Sequence, residues 1–438
     1  MKRYEYSKDD MEELFFSLSQ RNPGNRRDVE DTVTRILEDV KTRGDQAVLL
    51  YTKQLDHVEL TSEGLEVSPL EIAKAYEWVE PALLKVLEKA AENIRRFHEK
   101  QKENSWFSTD GPEGAAGVFL GQKVTPMSRV GVYAPAGSAP LPSTVLMDIL
   151  PARVAGVKEI ILCSPPGKGG RVDPLILACA KIAGATRVFS IGGAQAVAAM
   201  AYGTQSIPRV DKIVGPGNIY VAMAKKLVFG QCGIDMIAGP SEVLILADER
   251  ANAEYVAADL LSQAEHDPLA SSILITTSRE LADKVEEAVD KQLKKLSRMD
   301  IAAKSIENYG AIVLVESLEE GMTLSNRIAP EHLEIDTKDA FSLLPFVINA
   351  GAVFLGEYSP EPMGDYFAGP NHTLPTNGTA RFFSPLGVYD FVKRTSVISY
   401  SKKAFLEAAP YVAAFAESEG LAAHAQAVKI RMKGEKPS

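Results

Sequence analysis

From residue 129 onward, short unbroken apolar runs alternate with longer stretches of helical periodicity. Arg129-Val-Gly-Val-Tyr133 leads into Ala134-Pro-Ala-Gly137, and Glu159-Ile-Ile-Leu-Cys163 into Ser164-Pro-Pro-Gly167. Arg187-Val-Phe-Ser-Ile191 leads into Gly192-Gly-Ala-Gln195, and Asp211-Lys-Ile-Val214 into Gly215-Pro-Gly-Asn218. Apolar runs bounded by turn residues fit strands buried on both faces, so the alternation predicts a parallel sheet wrapped by helices. A second block repeats the pattern: Glu242–Leu246, Ser272–Thr276 with a helix from about 280 to 296, and Ala311–Val315 with a helix from about 318 to 326. The fold class is therefore α/β, with two parallel-sheet units, one interrupting or abutting the other. Ligands in such sheets sit at the carboxyl ends of the strands, and the junction of the two units is the expected site.

Between the second block's first two strands, a helical run begins near Ala251 and is stopped by Pro268. Wound at about 100° per residue, it gathers Val256, Leu260 and Ala264 on an apolar face and puts Asp259, Gln263 and His266 on the flank. Gln263 and His266 thus offer an oxygen and an imidazole nitrogen to one small target such as a metal ion. The plainer reading has His266 facing the helix C-terminal dipole and Gln263 solvated. Metal sites use sets of His, Cys and carboxylate, so further ligands must come from elsewhere.

The flanking regions are more polar. Residues 1–27, ending in Arg21-Asn22-Pro23-Gly24-Asn25, read as a helical arm. Asp28 to about Gln54 is helical with a break at Gly44, and Ser68-Pro69-Leu70-Glu71 opens a charged helix, interrupted at Pro81, that runs to about Lys102. His57 and His98 are expected on solvated faces. Pro and Gly frame a loop over 356–378 that carries Met363-Gly-Asp-Tyr366 and Asn371-His-Thr-Leu-Pro-Thr376. The tail from about Lys402 is alanine-rich and helical, broken at Gly420, and its apolar positions call for a partner surface. The expected division is an arm at 1–27, a first α/β domain from 28–132 with 242–386, a second at 133–241, and a dimerisation tail at 387–438.

Composition narrows the function. The 438 residues carry a net charge of −10, which gives no basic footprint for nucleic acid. No apolar stretch reaches the roughly 18 residues of a membrane span and no signal core follows Met1, so a cytoplasmic location is expected. Cys163, Cys179 and Cys232 lack metal-type spacing and read as buried free thiols.

Of six histidines, four stand in distinctive settings: His266, His332, His372 and His424. Pro330-Glu331-His332 joins a carboxylate and an imidazole after a proline that biases Ala329 toward extended geometry. Neighbours on a strand face opposite ways, so Glu331 and His332 serve one substrate only if the chain turns there; otherwise they are a surface pair entering a strand at Leu333. As a functional pair, the imidazole accepts protons near neutrality while the carboxylate orients it or activates water. The glycine-rich turns admit a nucleotide, although the dinucleotide fingerprint is absent: Gly215-Pro-Gly217 would need a glycine where Tyr220 stands.

Five separated stretches resemble the histidinol dehydrogenase family: Ala238-Gly-Pro-Ser-Glu-Val-Leu244, Ser262-Gln-Ala-Glu-His266, Ala329-Pro-Glu-His-Leu333, Gly364-Asp-Tyr366 with Gly369-Pro-Asn-His-Thr-Leu-Pro-Thr376, and Glu419 with His424. The resemblance runs from about residue 28 to the end. It implies two Rossmann-like units and oxidation of L-histidinol to L-histidine through the aldehyde, with two NAD molecules as hydride acceptors and one zinc ion per subunit. Zinc ligands are implied at Gln263, His266, Asp365 and His424, and catalytic residues at Glu331 and His332. Substrate contacts are implied at Ser241, Gln263, His266, His332, Asp365, Glu419 and His424, and NAD contacts at Tyr133, Gln195 and Asn218. It further implies a homodimer in which one chain's tail brings Glu419 and His424 to the other's site. On a regular helix Glu419 lies about 140° from His424, so that assignment requires Gly420 to break the helix. Two rivals share these features: a related zinc and NAD dehydrogenase of another polar alcohol, and a zinc hydrolase in which metal-bound water attacks.

Overall fold

The computed structural model describes residues 1–21, 27–109, 116–136, 140–167 and 169–432. Gly137 of the first glycine turn and the Asn22-Pro-Gly-Asn25 stretch lie outside the described residues. The described strands are β1 (Lys2–Glu5), β2 (Trp106–Ser108), β3 (Val118–Pro126), β4 (Arg129–Tyr133), β5 (Glu159–Ser164), β6 (Arg187–Ser190) and β7 (Lys212–Val214). They continue as β8 (Gly233–Ile234), β9 (Glu242–Ala247), β10 (Ser271–Thr276), β11 (Gly310–Leu314), β12 (His332–Asp336), β13 (Ala352–Leu355) and β14 (Val392–Tyr400). They form two all-parallel sheets, ordered β1-β11-β10-β9-β12-β13 and β6-β5-β4-β7-β8, and an antiparallel sheet β14-β3-β2.

The chain divides into two compact units. One, Met1–Gln101 with Met127–Phe391, holds both parallel sheets. Every residue of β9 and β10 is buried, as their consecutive apolar runs require. The other unit, Lys102–Pro126 with Val392–Ser438, holds the antiparallel sheet and the helices Lys402–Ser418 and Ala422–Met432.

The helix breaks and the cap expected between residues 28 and 102 are present. Gly44, at φ +56°, separates the helices Arg27–Arg43 and Asp45–Tyr51. The Ser68 hydroxyl accepts from Glu71 N at 3.2 Å to cap Pro69–Trp78, and Pro81 opens a separate helix, Pro81–Glu99.

Their partners differ from the expected division. Val29, Val33, Ile36, Leu37 and Val40 share a core with Ile161, Phe189, Val197 and Val221, and Ala91 and Ile94 pack with Val130, Val145 and Leu146. Residues 27–99 therefore cover the sheet of β4–β8, not the sheet that follows Glu242, and β4 itself belongs to that second sheet. Periodicity shows which face of a helix is apolar but not what covers it. The N-terminal arm is also not wholly helical: β1 pairs in parallel with β11, and Tyr4, Met11 and Leu14 sit in the core of the first sheet. Only Tyr4 of β1 is buried, too little alternation to read as a strand.

His98, expected on a solvated face, is fully buried; its Nδ1 donates to Ile94 O at 2.8 Å and its Nε2 lies 3.5 Å from Asn371 Nδ2. Ala90, Ala91, Ile94 and His98 form one stripe at helical spacing, so the buried position was readable from the period.

Leu37 is 4% exposed and Leu55 is 55% exposed. Leu37→Ala should lower the free energy of unfolding by about 2–5 kcal/mol in urea titrations, and Leu55→Ala by less than about 0.5 kcal/mol. Equal small effects would mean that this helix is not part of the core.

Candidate active site

The centre of the site is built where β12 begins. The helix Leu318–Ile328 ends on Ala329, whose φ of +55° and ψ of 63° are left-handed rather than extended as Pro330 would favour. That turn is what lets the two neighbours converge. Glu331 lies just before the strand and His332 opens it, with Glu331 Oε2 and His332 Nδ1 3.6 Å apart and both side chains buried.

Glu242, the first residue of β9, holds both. Its N–H donates to Glu331 Oε2 at 2.8 Å, its carboxylate accepts from Glu331 N at 3.3 Å, and its carbonyl lies 2.9 Å from His332 Nδ1. A carbonyl only accepts, so Nδ1 carries a proton and the neutral ring presents its lone pair at Nε2. Nε2 is buried, has no hydrogen-bond partner, and lies 3.6 Å from Asp365 Oδ1.

Asp365 sits in the wide helical turn Gly364–Ala368. His372 Nδ1 donates to the Asp365 carbonyl at 3.2 Å and lies 3.9 Å from its carboxylate, while His372 Nε2 faces the Thr144 hydroxyl at 3.4 Å. Ligand atoms of His266, Glu361 and Asp365 all fall within 4.8 Å of one another. Gln263, in the last turn of the helix Ala253–Ala264, is buried with its Oε1 unpartnered, and His266 follows just past the helix end. The imidazole and two carboxylates converging there fit a divalent cation, with nitrogen and oxygen donors that suit zinc, and the orphaned Gln263 oxygen one turn before His266 is a further donor of the same kind.

Charge follows from burial. Burial raises Glu331 to about 8 and Glu361 to about 9, with Asp365 adding to both. For His332, burial opposes the charge, but Glu331 and Asp365 outweigh it and hold the ring at about 10. Burial would also raise Asp365, yet the His332 ring that faces it at 3.6 Å keeps it well below the usual carboxylate range. Burial lowers His266 and His372, leaving neutral rings suited to ligation and hydrogen bonding.

The three residues matched to NAD stand apart from this cluster. Tyr133 ends β4, buried, and its hydroxyl accepts from Gly193 N at 3.1 Å. Gln195 is also buried, 3.4 Å from Asp56 and with Oε1 unpartnered, whereas exposed Asn218 caps the helix Ile219–Val228 by accepting from Tyr220 N and Val221 N. All three lie at the carboxyl ends of strands of the second sheet, where the turns predicted them. Glu331 and His332, by contrast, lie at the amino ends of β9 and β12, opposite to the usual expectation.

Ser241 is half-buried immediately before β9. Glu419 and His424 belong to the second unit and are exposed. Gly420, at φ +74°, separates their helices, so regular-helix spacing does not govern the pair. Sequence reasoning missed Glu242 and Glu361. Glu242 was visible only as the polar first residue of an apolar run, and Glu361 left no local signal.

Beneath the loop, Asp148 is fully buried; its Oδ1 accepts from the Thr373 hydroxyl at 2.7 Å and its Oδ2 is unpartnered. Burial, reinforced by Asp235 and opposed by Thr373 and Lys225, raises it to about 8. The folded chain keeps this proton and the unfolded chain loses it near pH 4, so the group favours folding at low pH and its contribution declines as pH rises from about 4 to about 8. Asp148→Asn should therefore gain stability relative to the parent as denaturation is measured from pH 5 to pH 9. A constant difference across that range would show that the buried carboxyl is not neutral.

Three comparisons bear on this arrangement. The family model described as histidinol dehydrogenase matches residues 19–432. A histidinol dehydrogenase of Aquifex aeolicus is 55% identical over 414 residues, 94% of this chain and 95% of its own, and one of Geobacter metallireducens is 52% identical over 427 residues, 97% and 96%. The crystal structure of histidinol dehydrogenase from Elizabethkingia anophelis superposes with a TM-score of 0.91 at 40% identity, covering 99% of this chain and 98% of that one. A paired carboxylate and imidazole beside a cation-ready cluster, on a fold matched along nearly its whole length, places the chain in the histidinol dehydrogenase family.

Proposed function

We propose that the chain oxidises L-histidinol to L-histidine through L-histidinaldehyde, with NAD as electron acceptor and one zinc ion per subunit, as the last step of histidine biosynthesis in the cytoplasm. The observation that carries this reading is the Glu331–His332 pair held by Glu242, with His332 Nε2 free of any donor and turned toward Asp365. Gln263, His266 and Asp365 are the zinc ligands this chain supplies, with His424 as the fourth and Glu419 as a substrate contact, both from a second copy in a homodimer. Zinc held there would supply a positive charge that orients the substrate, and NAD would supply the hydride acceptor for each oxidation.

The chain's own groups handle protons and water. His332 Nε2 removes the hydroxyl proton of the alcohol, with Nδ1 kept protonated by the Glu242 carbonyl. That role needs a neutral ring. The carboxylate of Asp365 helps hold the ring charged, and a divalent cation on that carboxylate would remove part of that bias. Glu331, raised to about 8 by burial, accepts in its ionised form a proton from the water that adds to the aldehyde, while His332 gives its proton to the aldehyde oxygen. The ring, neutral again, then deprotonates the hydrate for the second oxidation. Ser241, just before β9, contacts the substrate. Tyr133 and Gln195, both buried, shape the turns that receive NAD, and Asn218 is the exposed member of that set.

The zinc-loaded protein given L-histidinol and excess NAD should form two NADH per histidinol consumed, with histidine as product. No NADH from any polar alcohol would favour a zinc hydrolase instead. Glu331→Gln should slow aldehyde oxidation on the order of 10²–10⁴-fold while sparing the alcohol step far more; equal loss in both steps would sink the division of roles. His424→Asn should lower the zinc retained after dialysis, measured by mass spectrometry, and unchanged retention removes it from the ligand set.

A further inference from the structure

Arg21 is the bulkiest of the fully buried side chains, and its guanidinium uses all five of its N–H donors. Nε donates to Leu269 O at 2.5 Å, Nη1 to Glu242 Oε1 at 2.8 Å and Ser271 Oγ at 3.0 Å, and Nη2 to Pro240 O and Ser241 O, each at 3.0 Å. The planar group also stands over the Tyr309 ring, 5.6 Å from its centroid. Three of the five acceptors belong to consecutive residues, Pro240, Ser241 and Glu242.

Glu242 joins this clamp to the proton-transfer pair. Its carboxylate, gripped by Arg21, also accepts from Glu331 N and Asn377 N, and its backbone binds the Glu331 carboxylate on one side and the His332 ring on the other. A buried ion pair is weak evidence of stabilisation, since apolar replacements often do as well. A pair whose partners aim two reacting groups has a different use.

We infer that Arg21 is a positioning residue for the oxidation: it fixes the Pro240–Glu242 segment and thereby the angles at which His332 and Glu331 meet the substrate. The inference rests on the assignment of Glu331 and His332 as the proton-transfer pair. A purely architectural Arg21, anchoring the N-terminal helix to the sheet, would change thermal stability and leave the turnover of folded, zinc-loaded enzyme unaltered.

The test uses full-length, zinc-loaded Arg21→Ala and Arg21→Lys, with Glu331→Gln in parallel. Circular dichroism, zinc content, and kcat and KM for histidinol and histidinaldehyde are measured for each. For Arg21→Ala, kcat should fall about 100-fold, the effect of misplacing reacting groups by about an ångström, with KM and zinc content within about threefold of the parent. Millimolar guanidinium should restore at least about tenfold of that loss, because a cavity of about 340 Å³ lined in part by Gln20, Glu242 and Ser271 gives the ion access to the vacated place. It should do nothing for Glu331→Gln. Arg21→Lys, which keeps the charge without the fork, should be intermediate, and it decides the matter if the alanine variant does not fold. Full kcat, a loss seen only in KM or zinc content, or a loss that neither guanidinium nor lysine relieves overturns the inference. If Glu331→Gln is itself fully active, the assignment of the pair has failed and not the link to Arg21.

Discussion

The parallel pairing of β12 with β9 is the constraint on which the site depends. With His332 in register with Val243, the carbonyl of the preceding Glu242 meets the imidazole and its N–H meets the Glu331 carboxylate. A slip of one residue would send His332 to the other face of the sheet. The far side of the segment is equally fixed: Gly351 N donates to Pro330 O, Ala352 N donates to Glu331 O, and a Cβ on Gly351 would come within 2.5 Å of the Glu331 carbonyl. The left-handed Ala329 completes the turn, a conformation that costs an alanine roughly 1–2 kcal/mol and persists because the pairing on both sides demands it.

Packing carboxyl groups so closely has electrostatic consequences. Burial raises Glu334 to about 8, Glu331 to about 8 and Glu361 to about 9, which makes protonated, uncharged forms abundant in the chain alone. Asp365 is the exception, kept ionised by the His332 ring that faces it. Its charge and the lowered His266 ring, with ligand atoms within 4.8 Å of each other, are better suited to a cation than to a proton.

Much of this was legible along the chain. The apolar runs at Arg129, Glu159, Arg187, Asp211, Glu242, Ser272 and Ala311 are strands within a residue or two, because a strand buried on both faces leaves an unbroken apolar trace. The antiparallel sheet left none: β14 has no fully buried residue, so no alternation records its inner face. Glu331 and His332 were recognisable as chemistry, but their convergence needed a turn at Ala329 that Pro330 argued against. Arg21 and Glu242, separated by 221 residues in sequence, meet only through the packing of the N-terminal segment on the first sheet. Nothing local marks an arginine as buried when its partners lie that far away.

The two groups of side chains lie at opposite ends of their sheets. In each parallel sheet the helix after a strand runs back along it, so helix C-termini gather at the amino ends of the strands and helix N-termini at the carboxyl ends. The first sheet uses the former: Gln263 and His266, from a helix end, join His332 at the start of β12. The second uses the latter, with Tyr133 and Asn218 beside helix N-termini, where backbone N–H groups favour phosphates. The 365–376 loop connects them. His372 bonds the Asp365 carbonyl through one nitrogen and faces Thr144, in the first turn of the helix after β4, through the other. Asn371 and Thr373 on either side anchor to Met147 O and Asp148 of that same helix. Three successive loop residues therefore tie the second sheet's helix to the residue whose carboxylate faces His332.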